Sequence, residues 1–145
     1  MLYFILENMA LHKSVQMSSV LNAYHASFCT DGEYGPGTNI CHSQESVSNW
    51  IRVDLGSLKI VTFVLIHNRH IHSLDALQRL SFTDVYVFNN EDPNDNRRFC
   101  AHIGQTSALA YLARCNKPLL ARNVELIQLE TGVGRYMNLG EIMVY

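Results

Sequence analysis

Three side chains far apart in the sequence, His42, Arg69 and Arg79, have the chemistry to grip a polyhydroxylated ligand. A guanidinium donates two parallel hydrogen bonds to neighbouring hydroxyl or ring oxygens, and an imidazole adds one more donor or acceptor. An apolar wall then packs on the apolar face of the sugar, the usual make-up of a small-ligand pocket. Arg69 follows Ile66-His67-Asn68 at the end of an apolar run, where a central strand leaves the core, and His42 sits in a long loop. On composition alone, a histidine and two distant arginines are more often unrelated surface residues.

A second group is His67-Asn68-Arg69-His70-Ile71-His72. Imidazole binds zinc, copper and nickel well. On a strand, His70 and His72 would share one face and His67 the other. No carboxylate or cysteine at a fixed spacing completes a ligand set, although Asp75 lies nearby. Chance clustering of loop histidines is the expectation. A third group is Asp31 and Glu33 around Gly32, with Glu141 at the start of the last apolar run. Carboxylates and carbonyls at glycine-rich turns suit hard Ca²⁺, but they equally suit an ordinary turn and a solvated glutamate. No nucleophile elbow, phosphate-cradling glycine loop or zincin motif is present, so no enzyme activity is expected.

The elements that must position these residues read as strands. Asn49 to Leu55 alternates apolar and polar side chains before Gly56-Ser57. Lys59 to His67 is almost continuously apolar, the pattern of a strand buried on both faces. Thr83–Phe88 is another strand, ended by the polar turn residues Asn89 to Asn96. Runs at 99–103, 109–112, 122–129 and 141–145 complete the set, and the apolar residues 1–6 suit a first strand. About eight short strands separated by turns, with little helical periodicity, predict an all-β, eight-stranded sandwich formed by one domain over 1–145.

The bulk properties agree. The 145 residues are 48% hydrophobic and 17% charged, with a net charge of −2, so no basic field gathers phosphates and nucleic acid is not an expected partner. No apolar run approaches the roughly 20 residues that span a bilayer. The N-terminal apolar stretch meets Glu7 too early for a secretory leader, so any such signal is expected outside this sequence. The four cysteines stand singly, which disfavours a zinc ribbon or a Cys-x-x-Cys redox site. Two disulfides have three possible connectivities, of which proximity selects Cys29–Cys41 and Cys100–Cys115; four reduced buried thiols are the alternative.

Several segments carry a family resemblance. Glu7-Asn8-Met9-Ala10-Leu11-His12-Lys13, followed by Met17-Ser18-Ser19, resembles the "ENLALGK…QSS" opening of discoidin-like, coagulation-factor C-type domains. Trp50 to Leu55 resembles their "WWRVDL" strand, and Gly134 to Leu139 their "GRYVNV" strand. The branch it most resembles is the F-type lectins, or fucolectins, over about Glu7 to Tyr145. The resemblance implies a jelly-roll β-sandwich of the galactose-binding-domain-like class, extracellular, with loops at one end that bind fucosylated glycans, often as oligomers or tandem copies.

The family's fucose motif places an arginine 27 positions after a histidine, the spacing of His42 and Arg69, and Arg79 matches the second arginine of "RLNGAEV". His42, Arg69 and Arg79 are therefore the sugar ligands the resemblance implies. Where the family reads "RGDCC", this chain reads Arg69-His70-Ile71-His72-Ser73, without the aspartate or the adjacent cysteines. Tyr34, Ile71 and Leu74 are the candidates for apolar contact with the sugar, and Asp75 for the lost carboxylate. Cys100 and Cys115 match the family's short-range bridge. The family's other bridge would need a cysteine at position 140, which is Gly140, so Cys29 is expected to take Cys41 instead. Structural Ca²⁺ is also implied, with Asp31 and Glu141 as acidic ligands and Phe28, Glu33, Asn39 and Gly140 supplying further oxygens. The rival is a non-lectin discoidin-like adhesion module that recognises protein or lipid head groups through its loop tips; a glycosidase accessory domain is a third possibility.

Overall fold

The computed structural model describes residues 5–129 and 136–145. Seven strands are present among them: β1 (Ser14–Met17), β2 (Cys41–His42), β3 (Trp50–Asn68), β4 (Thr83–Phe88), β5 (Arg98–Ile103), β6 (Ala110–Gln128) and β7 (Asn138–Val144). All their pairings are antiparallel, in the order β2-β7-β3-β6-β4-β5, with β1 added to β3. Residues 1–4 of the expected first strand lie outside the described residues, as do Gly134 and Arg135 of the "GRYVNV"-like segment. The all-β class stands, but the strands divide differently from the sequence expectation of eight short ones.

The difference lies in β3 and β6, each 19 residues long and paired with one another along most of their length. Asn49–Leu55 and Lys59–His67 are two parts of one bent strand. Gly56 makes the bend at φ +85°, its N–H held by Asp54 Oδ1 at 2.8 Å, and pairing with β6 resumes at Lys59↔Ala121. A glycine at positive φ inside a ladder is how a bulge turns a strand without ending it. The expectation that Lys59–His67 is buried on both faces is corrected here. Val61, Val64 and Ile66 are buried, but Ile60, on the outer face at the bend, is 62% exposed.

Register shifts between Val61 and Phe63 move the buried set of β3 from odd to even residues. A one-residue slip exchanges the two faces of a strand. The first half of β3 thus sends Ile51, Val53 and Leu55 inward, while the second sends Val64 and Ile66. With Val85, Val87, Val124, Leu126, Leu139, Ile142 and Val144 they form one core cluster.

Both expected disulfides form: Cys29–Cys41 ties the 3-10 turn Ala26–Thr30 to β2, and Cys100–Cys115 ties β5 to β6. On the outer face, buried Glu125 of β6 receives Arg52 of β3 and Arg97, while Arg52 lies over Trp50 at 3.8 Å and Arg97 over Tyr86 at 4.1 Å. One short helix, α1 (Leu74–Gln78), was not expected; Ser73 Oγ caps it by accepting the Ala76 N–H at 3.4 Å. Among the described residues no helix is long and apolar enough to cross a membrane.

Candidate functional site

His42 lies on β2 opposite Asn138 of β7 and is only 5% exposed. Its ring is flanked by Tyr24 at 5.7 Å and, edge-on, by Tyr136 at 5.6 Å. Nδ1 is 2.7 Å from the Ser43 carbonyl oxygen. Burial holds the His42 imidazole below its usual range; the Ser43 carbonyl opposes this, and the Arg79 and Arg69 cations reinforce it. The fold therefore brings Arg79 and Arg69 each within electrostatic reach of His42.

Arg69 leaves the end of β3 along a path set by Asn68. That buried side chain accepts the Arg69 N–H at 2.9 Å and donates to the carbonyls of Leu77 at 2.8 Å and Ala108 at 3.1 Å. Arg79 follows α1 as its C-terminal cap, so the segment around this helix carries the chain from one arginine to the other. The Arg79 head group donates to Asn138 Oδ1 at 2.9 Å and lies 4.8 Å above the Tyr136 ring, while its carbonyl accepts Gln128 Nε2 at 2.9 Å.

A cleft of about 260 Å³ opens beside Arg69, lined by Tyr24, by Gly35, Gly37, Thr38, Asn39 and Ile40, and by His70 and Ile71. Of the three apolar candidates, Ile71 lines this cleft. Tyr34 stacks on His67 at 3.8 Å, and Leu74 is exposed on α1. Asp75 is exposed on the same helix. His67 is held down by burial and packed on Tyr34, and the His70 and His72 rings are 6.4 Å apart. Among the described residues, no three His, Cys, Asp or Glu side chains converge as a metal site.

Of the oxygen candidates, Asp31 and Glu141 meet, while Asn39 falls elsewhere. Glu141, 0% exposed, accepts the Gly32 N–H on both oxygens at 3.2 Å. Its carboxyl is pushed up to about 8, first by burial and then by the neighbouring Asp31 carboxylate. Asp31 also accepts the Glu33 N–H at 2.9 Å. Phe28 is in the adjoining 3-10 turn, whereas exposed Asn39 lines the cleft beside Arg69. Gly140 is packed so closely that a Cβ there would sit 3.2 Å from the Asn68 carbonyl oxygen.

Sequence reasoning missed Tyr24, Asn68, Gln128, Tyr136 and Asn138. For Asn68, Gln128 and Asn138 the one available signal was their polar character inside or beside apolar strand patterns, which marks a buried polar group needing a partner.

No family model matches the chain, and no curated protein does. Solved structures do match. A Streptococcus pneumoniae fucose-binding module, SpX-3, is 25% identical with a TM-score of 0.81, covering 97% of this chain and 98% of that one. The lectin domain of lectinolysin, solved with Lewis b antigen, is 26% identical with a TM-score of 0.79, covering 96% of each chain. A fucolectin from striped bass (Morone saxatilis) serum is 22% identical with a TM-score of 0.82, over 97% of this chain and 49% of that one, and supports the fold alone. The chain thus matches fucose-binding modules and an F-type lectin in structure over nearly its whole length, as its sequence motifs imply.

Proposed function

We propose that this chain is an extracellular carbohydrate-binding module without catalytic activity, and that it holds fucose between His42, Arg69 and Arg79. The observation that carries the reading is the approach of two arginine cations to a buried imidazole whose Nδ1 is already committed. A carbonyl oxygen can only accept, so Nδ1 carries the proton toward Ser43, and the neutral ring is left with an accepting lone pair on Nε2. A sugar hydroxyl donates to Nε2 and accepts from the guanidinium groups. Tyr24 and Ile71, which line the adjoining cleft, supply apolar contact. The matches to fucose-binding modules at 25% and 26% identity support the sugar class.

The same reading includes a structural Ca²⁺ between Asp31 and Glu141. Half-buried Asp31 faces fully buried Glu141, whose carboxyl is driven far above its normal range, and such a hard-oxygen pair suits this ion. These residues would hold it, and the ion would supply the charge that lets Glu141 ionise beside Asp31. Because Cys29–Cys41 links the turn beside Asp31 to β2, the ion acts on sugar binding by steadying the loop that carries His42. One small site binds weakly, so tandem or oligomeric copies raise avidity on fucosylated glycans.

A glycan array run with calcium and with chelator tests the reading. Signal concentrated on fucosylated glycans, reduced by chelator, is expected. An array with no sugar signal would favour an adhesion module that reads protein or lipid head groups and would remove the lectin reading.

A further inference from the structure

We infer that Asn138 is a positioning residue, whose side-chain oxygen fixes the Arg79 head group before any ligand arrives. The inference rests on the sugar-binding role proposed for Arg79. Asn138 opens β7 directly opposite His42 and is 2% exposed. Its Oδ1 accepts from Arg79 Nη1 at 2.9 Å. The main chain of the same arginine is held by Gln128, whose Nε2 donates to the Arg79 carbonyl at 2.9 Å and to the Tyr136 carbonyl at 2.8 Å. Gln128 is itself braced by Asn49 Nδ2, which donates to its Oε1 at 3.0 Å. Buried amides therefore hold both ends of Arg79, one at the carbonyl and one at the guanidinium. Ordering a long side chain during binding costs affinity, and ordering it beforehand removes that cost from the binding step.

A second observation separates positioning from mere packing. Asn138 Nδ2 is buried and has no hydrogen-bond partner among the described residues. An orphaned buried donor destabilises the fold. An apolar β-branched residue would suit this buried strand position better. Fold stability alone does not account for an asparagine here, whereas the service of its oxygen to Arg79 does.

The test uses Asn138→Val and Asn138→Asp beside wild type and Arg79→Ala, with fucose titrated by calorimetry and thermal unfolding measured in parallel. Asn138→Val is expected to bind fucose about tenfold more weakly, with Tm unchanged or raised. Asn138→Asp, which keeps the accepting oxygen, should stay close to wild-type affinity. Wild-type affinity in Asn138→Val overturns the positioning role while leaving the lectin reading intact. So does an affinity loss in Asn138→Val matched by a fall in Tm, or an Asn138→Asp that binds as poorly as the valine variant. A wild type that ignores fucose removes the lectin reading and this inference together.

Discussion

Glu141, fully buried in the last strand, accepts the backbone N–H of Gly32 on both carboxylate oxygens, across 109 residues of chain. The contact closes the long loop onto β7, and Asp31 adds a second carboxylate to it.

That pair predicts a pH profile. The Glu141 carboxyl rises from 4.5 to about 8 on folding without a cation, so the folded state holds its proton more tightly than the unfolded one. The stability this confers is complete below 4.5 and is lost as pH rises through about 8. In chelator, Tm should fall between about pH 5 and about pH 8.5, and saturating Ca²⁺ should reverse the trend because metal binding requires the deprotonated ligand. Glu141→Gln should flatten the chelator profile and abolish the calcium-dependent rise, both measured by scanning calorimetry.

Among the described residues Arg69 hydrogen-bonds to the fold through its backbone N–H, which Asn68 Oδ1 accepts at 2.9 Å. Among the described residues its guanidinium makes no protein hydrogen bond. Arg69→Ala should therefore leave Tm unchanged while weakening fucose binding by about 1.5–3 kcal/mol, or roughly 10- to 150-fold. Retention on fucose-agarose equal to wild type would exclude the residue from the site.

His42 is held below its ordinary value of 6.5, so its stabilising contribution is present above that pH and is lost as pH falls through its lowered value. Fucose affinity should be flat at neutral and alkaline pH. It should drop only in acid, when Nε2 gains a proton and ceases to accept. A calorimetric pH series reads this directly, and a maximum in acid would contradict the neutral-ring role.

Glu125 is fully buried between Arg52 and Arg97. Removing one partner from such a buried ionic set typically costs about 3–5 kcal/mol. Glu125→Ala should lower stability by that order in urea unfolding, while the fraction that remains folded binds sugar normally.

Much of the fold was legible in the residues. The alternation in Asn49–Leu55 foretold a strand, the polar turn after Phe88 the end of β4, and the four single cysteines both bridges. Gly56 was legible as a bend but not as a bend within one strand. Whether a glycine ends a strand depends on whether a neighbour resumes pairing beyond it, and here β6 does. In the candidate site, residue types suggested His42 and Arg69 and the resemblance to the F-type lectin motif, with its 27-position spacing, selected them, but no periodicity marked Asn138 or Gln128.

By itself the sequence determined an all-β chain with a turn-rich loop, two local disulfides and three dispersed side chains of the right chemistry. Strands, turns and local bridges are properties of near neighbours, set by side-chain period and backbone preference, and the three side chains offered only their chemistry. Only the tertiary structure decided that β2 meets β7, which sets His42 beside Asn138 and thereby beside Arg79. It also decided that Glu141 is buried against Gly32 and that Leu74 faces solvent. Such meetings depend on which distant strands share a core, and burial and long-range electrostatics exist only once that core has formed.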